Sequence, residues 1–192
     1  RNGWQITAHA QGDAEIDMLL NTIEKANQWY PRPDARHRIE HAGIAAPDLI
    51  ARMKAQHVIP TPNAVFLYEF GDGYVQDYGE RAAQMYPLRD YLEAGIPAAI
   101  ASDCPVTTFH PMRGLQAALT RKSQSGQVIG KEKTVPLLEA IRMYTTNGAY
   151  ASFEENIKGS IEPGKLADLI LLDHSLLKTD VEELPNVQVE MT

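Results

Sequence analysis

ITAHAQGDAEIDMLLNTIEKANQWYPRPDARHRIEHAG, residues 6–43, decides the fold. A short apolar run ends at His9, in front of the turn residues Gln11, Gly12 and Asp13. Ile16, Leu19, Leu20, Ile23 and Ala26 then recur at the three-and-four spacing of one helix face, and Pro31 and Pro33 stop the pattern. A second short run, RIEH, ends at His41. Strand, helix and strand make a crossover unit that returns the second strand parallel to the first. His9 and His41 therefore stand at equivalent strand ends, one repeat apart.

The alternation continues outward. PDLIARMKAQ, with Pro47 in its first turn and Leu49, Ile50 and Met53 on one side, reads as a helix. VIPTPNAVFLYEF supplies a further strand, weakened by Pro60 and Pro62, and FGDGYVQDYGER (70–81) reads as a loop. Residues 81–94 read as a helix closed by Gly95, and IPAAIAS as a strand ending at Ser102-Asp103. PMRGLQAALTRKS and VPLLEAIRMYTTNGAYAS are two successive helical patterns, jointed at Gly126 and Gly130. After them LADLILLD and VQVEM suggest a small β element. The expected class is α/β, with a (β/α) part over 1–153 and a β part over 154–192.

Composition narrows the function. The charge of −7 comes from 25 acidic and 18 basic residues scattered without long runs, which leaves no footprint for nucleic acid or anionic lipid. A small-molecule substrate suits such a surface better. No window reaches the ~18 uninterrupted apolar residues of a membrane helix. The single cysteine, Cys104, can form no intramolecular disulfide, so a reducing, cytoplasmic setting is expected. The chain opens on Arg1 and closes on an unfinished strand pattern, so a piece of a longer protein is expected.

His9, His41 and Asp103 each stand where a strand-like run meets turn chemistry. Side chains at the C-terminal strand ends of a barrel converge on one mouth, where distant residues can share an ion. Imidazole binds zinc-like ions without adding charge, and a carboxylate supplies the charge and can serve as a base. The plainer alternatives are hydrogen-bonded structural histidines and, for Asp103, an Asx turn or helix cap. Strand alternation sends Arg38 and Glu40 to the exterior face, as a salt bridge. His37, His57 and His174 have weaker cases, and His110, close behind Asp103, is a candidate substrate contact. Cys104 lacks a neighbouring base, and no G-x-S-x-G, P-loop or H-E-x-x-H pattern is present.

Six segments in order resemble the C-terminal half of the metal-dependent amidohydrolase superfamily, in the branch that includes N-substituted formamide deformylase. They are ITAHAQGDAEID, RIEHAG, YGERAAQMYPLRDYLEAGIPAAIASDCPV, the helix end LTRK, EAIRMYTTNGAYA and GSIEPGKLADLILLD. The resemblance implies the second half of a (β/α)8 TIM-type barrel, strands five to eight, and part of a small β-sandwich. It implies one or two divalent metals, usually zinc. His9 and His41 would be the histidines ending the fifth and sixth barrel strands, and Asp103 the eighth-strand aspartate that binds metal and handles the proton of the attacking water. The first-strand H-x-H pair and the fourth-strand bridging residue have no counterpart in this chain. ASDCP and TPNAVF also depart from the common GSD-bulky-Pro and QP patterns.

The expected activity of the complete protein is hydrolysis of an amide-like C–N bond, with the isolated chain weak or inactive. A deaminase or C–O hydrolase on the same barrel, and an inert, self-associating structural fragment, are the alternatives. Half a barrel exposes strand edges and apolar faces. Its partner would be the missing N-terminal half or a second copy of the chain, as a homo-oligomer.

Overall fold

The computed structural model describes residues 3–192. Strands β1 (Thr7–Ala10), β2 (Arg38–His41) and β3 (Ile59–Thr61) form a parallel sheet in that order. Thr7 pairs with Arg38, Ala10 with His41, and Glu40 with Thr61. Helices α1 (Asp13–Trp29) and α2 (Pro47–Ala55) are the crossovers. The apolar stripe legible in the sequence faces inward: Ile16, Leu20 and Ile23 of α1 and Leu49, Ile50 and Met53 of α2 are buried. They pack with Ala10, Ile39, Val58, Tyr91 and Ile96 on one face of the sheet. Each such side chain contributes about 1.5–3 kcal/mol by leaving water.

The opposite face carries Thr7, His9, Arg38, Glu40 and Thr61, because side chains alternate along a strand. The Glu40 carboxylate accepts hydrogen bonds from the hydroxyls of Thr7 and Thr61 and from Arg38 Nε, so it ties three strands together. This corrects the expected placement of Arg38 and Glu40. They lie on the face turned away from the helices, beside His9, and the helix-covered exterior belongs to Ile39.

Residues 96–103 were expected to form a strand and instead run as an extended segment without a regular ladder. Ala99 N–H donates to Pro60 O (3.1 Å) and Ala101 N–H to Pro62 O (3.0 Å). The bonds in return would need N–H groups at 60 and 62, and proline has none. Those two prolines, read in the sequence as an irregular exit, make the fourth contact one-sided. The far edge is held by Ile100 N–H on Met143 O (3.1 Å) and by Asn147 Nδ2 on Ala98 O (2.9 Å).

Two more expectations are corrected. The strand expected over VIPTPNAVFLYEF is only Ile59–Thr61, and its second half together with the stretch read as a loop is helix: α3 spans Val65–Tyr78 and runs through Gly71 and Gly73. A Cβ on Gly71 would lie 2.6 Å from Ile129 Cδ1, so glycine lets α3 lie close against residues 121–129. The expected helix over 81–94 is broken into a 3-10 turn (Gly79–Gln84) and α4 (Leu88–Glu93). Pro87 forces the break, since it lacks an N–H and bars Tyr86, at φ 49°, from the helical region.

Helix α5 (Pro111–Thr120) is followed by a glycine joint, then α6 (Leu137–Tyr144) and α7 (Thr146–Ala151). A Cβ on Gly130, at φ +65°, would meet Ala83 O at 2.2 Å. The joint is pinned by Arg121, which is 1% exposed. Its guanidinium donates to the carbonyls of Ile129 (2.5 Å), Tyr86 (2.9 Å), Met85 (2.8 Å) and Ala83 (3.3 Å). Beyond Phe153 come turns and an antiparallel pair, β4 (Leu171–Leu172) with β5 (Val189–Met191). This part leaves Ile161, Leu166, Leu171, Leu177 and Met191 more than half exposed.

Candidate metal centre

His9 stands on the open face of β1, and strand alternation alone would turn His41 the other way, with Ile39. The backbone at His41 prevents this. Its φ of 71°, followed by 44° at Ala42, takes the His41 side chain out of the alternation and toward His9. The two rings meet edge to face, with centroids 4.6 Å apart and an interplanar angle of 72°. Left-handed backbone at non-glycine residues costs about 1–3 kcal/mol each and persists only where the surroundings over-determine it. Here they do: Ala42 N–H donates to Ala10 O (3.1 Å), Ile44 N–H to Gln11 O (3.0 Å) and Tyr86 N–H to Gly43 O (2.7 Å). The buried Tyr91 hydroxyl donates to Ala42 O (2.8 Å).

His41 Nδ1 lies 2.8 Å from Asn63 Oδ1. With the carbonyl oxygen as acceptor, Nδ1 carries the hydrogen and Nε2 keeps its lone pair, the tautomer that a metal ligand needs. Asn63 is 1% exposed. It lies two residues past the end of β3, beyond Pro62, and was missed in the sequence. Glu15 Oε2 lies 3.8 Å from His9 Nε2. The backbone N–H groups of Gln11 and Gly12 hold the Glu15 carboxyl below its usual range, and both histidines add to that effect.

Gln11 and Tyr86 complete the surroundings and were also missed. Gln11 Nε2 donates to the Tyr86 hydroxyl (2.6 Å), which lies 3.3 Å from the Tyr74 hydroxyl. Burial pushes the Tyr86 phenol far up, with Tyr74 and the Asp103 charge adding to the shift, so it stays neutral. Asp103 lies at the same end of the sheet, since Ala101, two residues before it, donates its N–H to Pro62 O just past β3.

Asp103 ends the extended segment in a left-handed conformation, φ 59°. It opens on a cavity of about 550 Å³ lined by Ser102, Cys104, Thr108, Phe109, His110 and others. His110 stands before the first turn of α5, and its Nδ1 is buried with no hydrogen-bond partner. The structure thus brings His9 and His41 together and puts Asp103 with His110 in a cavity that neither histidine lines. Among the described residues, no three His, Cys, Asp or Glu side chains gather closely enough to hold one ion. His37 is structural, its Nδ1 accepting from Ile6 N–H (3.1 Å), and His174 pairs with Asp173 at the exposed far end.

The donor chemistry fits a divalent cation in part. Two imidazoles in contact, one of them hydrogen-bonded through Nδ1 to a buried amide, offer borderline-soft nitrogen donors of the kind zinc takes. Such an ion takes three or four protein ligands, so the pair by itself is an incomplete set.

The Amidohydrolase family model matches residues 1–192. The N-substituted formamide deformylase of Arthrobacter pascens is 31% identical over 192 residues, covering 99% of this chain and 35% of that protein. A 5-methylthioadenosine/S-adenosylhomocysteine deaminase of Moorella thermoacetica is 32% identical over 105 residues, covering 53% of this chain and 24% of its own length. An uncharacterized metal-dependent hydrolase from Pyrococcus horikoshii superposes with a TM-score of 0.80 at 25% identity, over 94% of this chain and 36% of that one. The chain therefore spans about a third of the length of such relatives.

Proposed function

The chain belongs to the amidohydrolase family, and on that premise we propose that it is the part of a hydrolase cleaving an amide-like C–N bond that contributes some of its metal ligands. The observation that carries this reading is the His9–His41 pair, held at 4.6 Å by a strained, fully bonded loop and oriented through Asn63. Left-handed backbone at non-glycine residues clusters at ligand clamps and active sites, and here it sets one imidazole against another.

In this reading residues 1–153 are half of a (β/α)8 barrel and residues 154–192 contribute to a small β-sandwich. His9 and His41 hold a divalent ion, zinc by ligand chemistry. When bound, such an ion lowers the pKa of a coordinated water and polarises a carbonyl. Asn63 keeps the His41 Nε2 lone pair directed outward. Asp103, in the cavity it lines with His110, accepts the proton from the attacking water and returns it to the leaving nitrogen. His110, whose buried Nδ1 lacks a partner, faces the substrate in that cavity. The remaining ligands come from the two thirds of the relatives' length that this chain does not cover. A cytoplasmic setting belongs to the same reading and rests on the lone, exposed Cys104.

The likeness to a deaminase over half of the chain favours a second reading, with the exocyclic C–N bond of an amino-substituted ring as the target on the same site. Replacing Asp103 by Asn in the complete protein, and assaying formamides and adenosine-type substrates side by side, tests both. Turnover of one class should fall by at least about 10²-fold with the fold intact. Near-normal turnover in that variant removes the proton-transfer role.

A further inference from the structure

Glu15 stands beside the histidine pair, and its place in the helix accounts for only part of its surroundings. It lies in the first turn of α1, where Oε2 accepts from the backbone N–H groups of Gln11 (2.9 Å) and Gly12 (3.4 Å). That is a capping role, which a glutamine fills equally well. The same oxygen also lies 3.8 Å from His9 Nε2, and both imidazoles act on the carboxyl electrostatically. Oε1 accepts no hydrogen bond among the described residues. Arg81 pairs with the neighbouring Asp13 (2.9 Å), and no Lys or Arg among the described residues pairs with Glu15. A carboxylate without a permanent cation therefore sits against two imidazoles.

Resting on the hydrolase reading above, we propose that Glu15 is the charged member of the metal centre, a third ligand beside His9 and His41 for a divalent cation. Two imidazoles leave the double charge of such an ion uncompensated, and one carboxylate offsets half of it. An ion bonded at about 2.0–2.2 Å to each atom spans the 3.8 Å between His9 Nε2 and Glu15 Oε2 as a bent nitrogen–metal–oxygen link. The three groups stop short of full convergence. Asn63 holds the His41 ring, whereas the side chains of His9 and Glu15 are 63% and 50% exposed, so those two have room to close on it.

The test separates the cap from the charge. Zinc is titrated calorimetrically into the whole chain in wild-type form and as Glu15→Gln and Glu24→Gln, with a thermal melt of each. Glutamine keeps the capping hydrogen bonds, so Glu15→Gln should melt like the wild type and bind zinc about 10–100-fold more weakly. Glu24→Gln removes the same charge about 13 Å further along α1 and should leave the affinity unchanged. Cobalt(II) provides a second readout, since its visible absorption bands should shift in Glu15→Gln as an oxygen donor leaves the ion. A zinc affinity in Glu15→Gln within about twofold of the wild type, or an equal loss in Glu24→Gln, overturns the proposal and leaves the histidine pair standing. Absence of zinc uptake by the wild-type chain would instead sink the hydrolase reading and the proposal with it.

Discussion

Replacing Arg121 by Met tests whether the site is built from the far side of the molecule. The guanidinium is 1% exposed and has no carboxylate partner at hydrogen-bond distance; its donors go to the carbonyls of Ala83, Met85, Tyr86 and Ile129. Burial lowers its pKa to about 10, which still leaves it charged at neutral pH. Three of the four bonds are 2.9 Å or shorter. At about 1.5–3 kcal/mol for a hydrogen bond to a charged group, they are worth roughly 4–9 kcal/mol before desolvation. Stripping water from the cation costs several kcal/mol, which methionine does not incur. The net loss should be about 3 kcal/mol. Urea unfolding followed by circular dichroism measures it as a lower midpoint with an unchanged slope. Arg121→Lys should lose a comparable amount, because a point charge cannot serve four carbonyls arranged around a planar fork. Tyr86, whose carbonyl Arg121 holds and whose hydroxyl meets Gln11, should show increased hydrogen exchange in the variant. A loss under about 1 kcal/mol, with Tyr86 as protected as before, would refute the reasoning.

Two further outcomes follow from particular contacts. Asn63→Leu frees the His41 ring, and zinc affinity by isothermal titration should fall about 10–100-fold while the melting temperature stays close to that of the wild type. Asp72 accepts from the hydroxyls of Ser123 and Ser125, which hold its carboxyl below the ordinary 3.8 and so tie α3 to residues 121–129. A depressed pKa gives stability that is present above 3.8 and lost as pH falls below it. Acid titration of Asp72→Asn should therefore show a shallower loss of stability in that window than the wild type.

The sequence carried the first two βα units because their information is local. Ile16, Leu20 and Ile23 repeat at helical spacing, and Pro47 opens α2 where a first turn tolerates proline. Reading the first part of α3 as strand and the rest as a loop gave too much weight to Gly71 and Gly73 and missed the aromatic residues at every fourth position. Gly71 is there for a contact with Ile129, 58 positions later, which no local pattern reveals. The same holds for Glu40, whose face was assigned by counting from His41, a residue that leaves the strand geometry at φ 71°. His9 and His41 were legible as strand-end residues. Asn63, Gln11 and Tyr86 were not, since each acts through a partner brought near only by the fold.

Zinc titration of the purified chain, in wild-type form and as His9→Ala and His41→Ala, addresses the metal site itself. The wild-type chain should take up about one ion, with an affinity weaker than that of a full three- or four-ligand site, and either substitution should abolish the uptake. Zinc uptake that is absent in the wild type, or that persists unchanged in both variants, would contradict a metal site built on the two imidazoles.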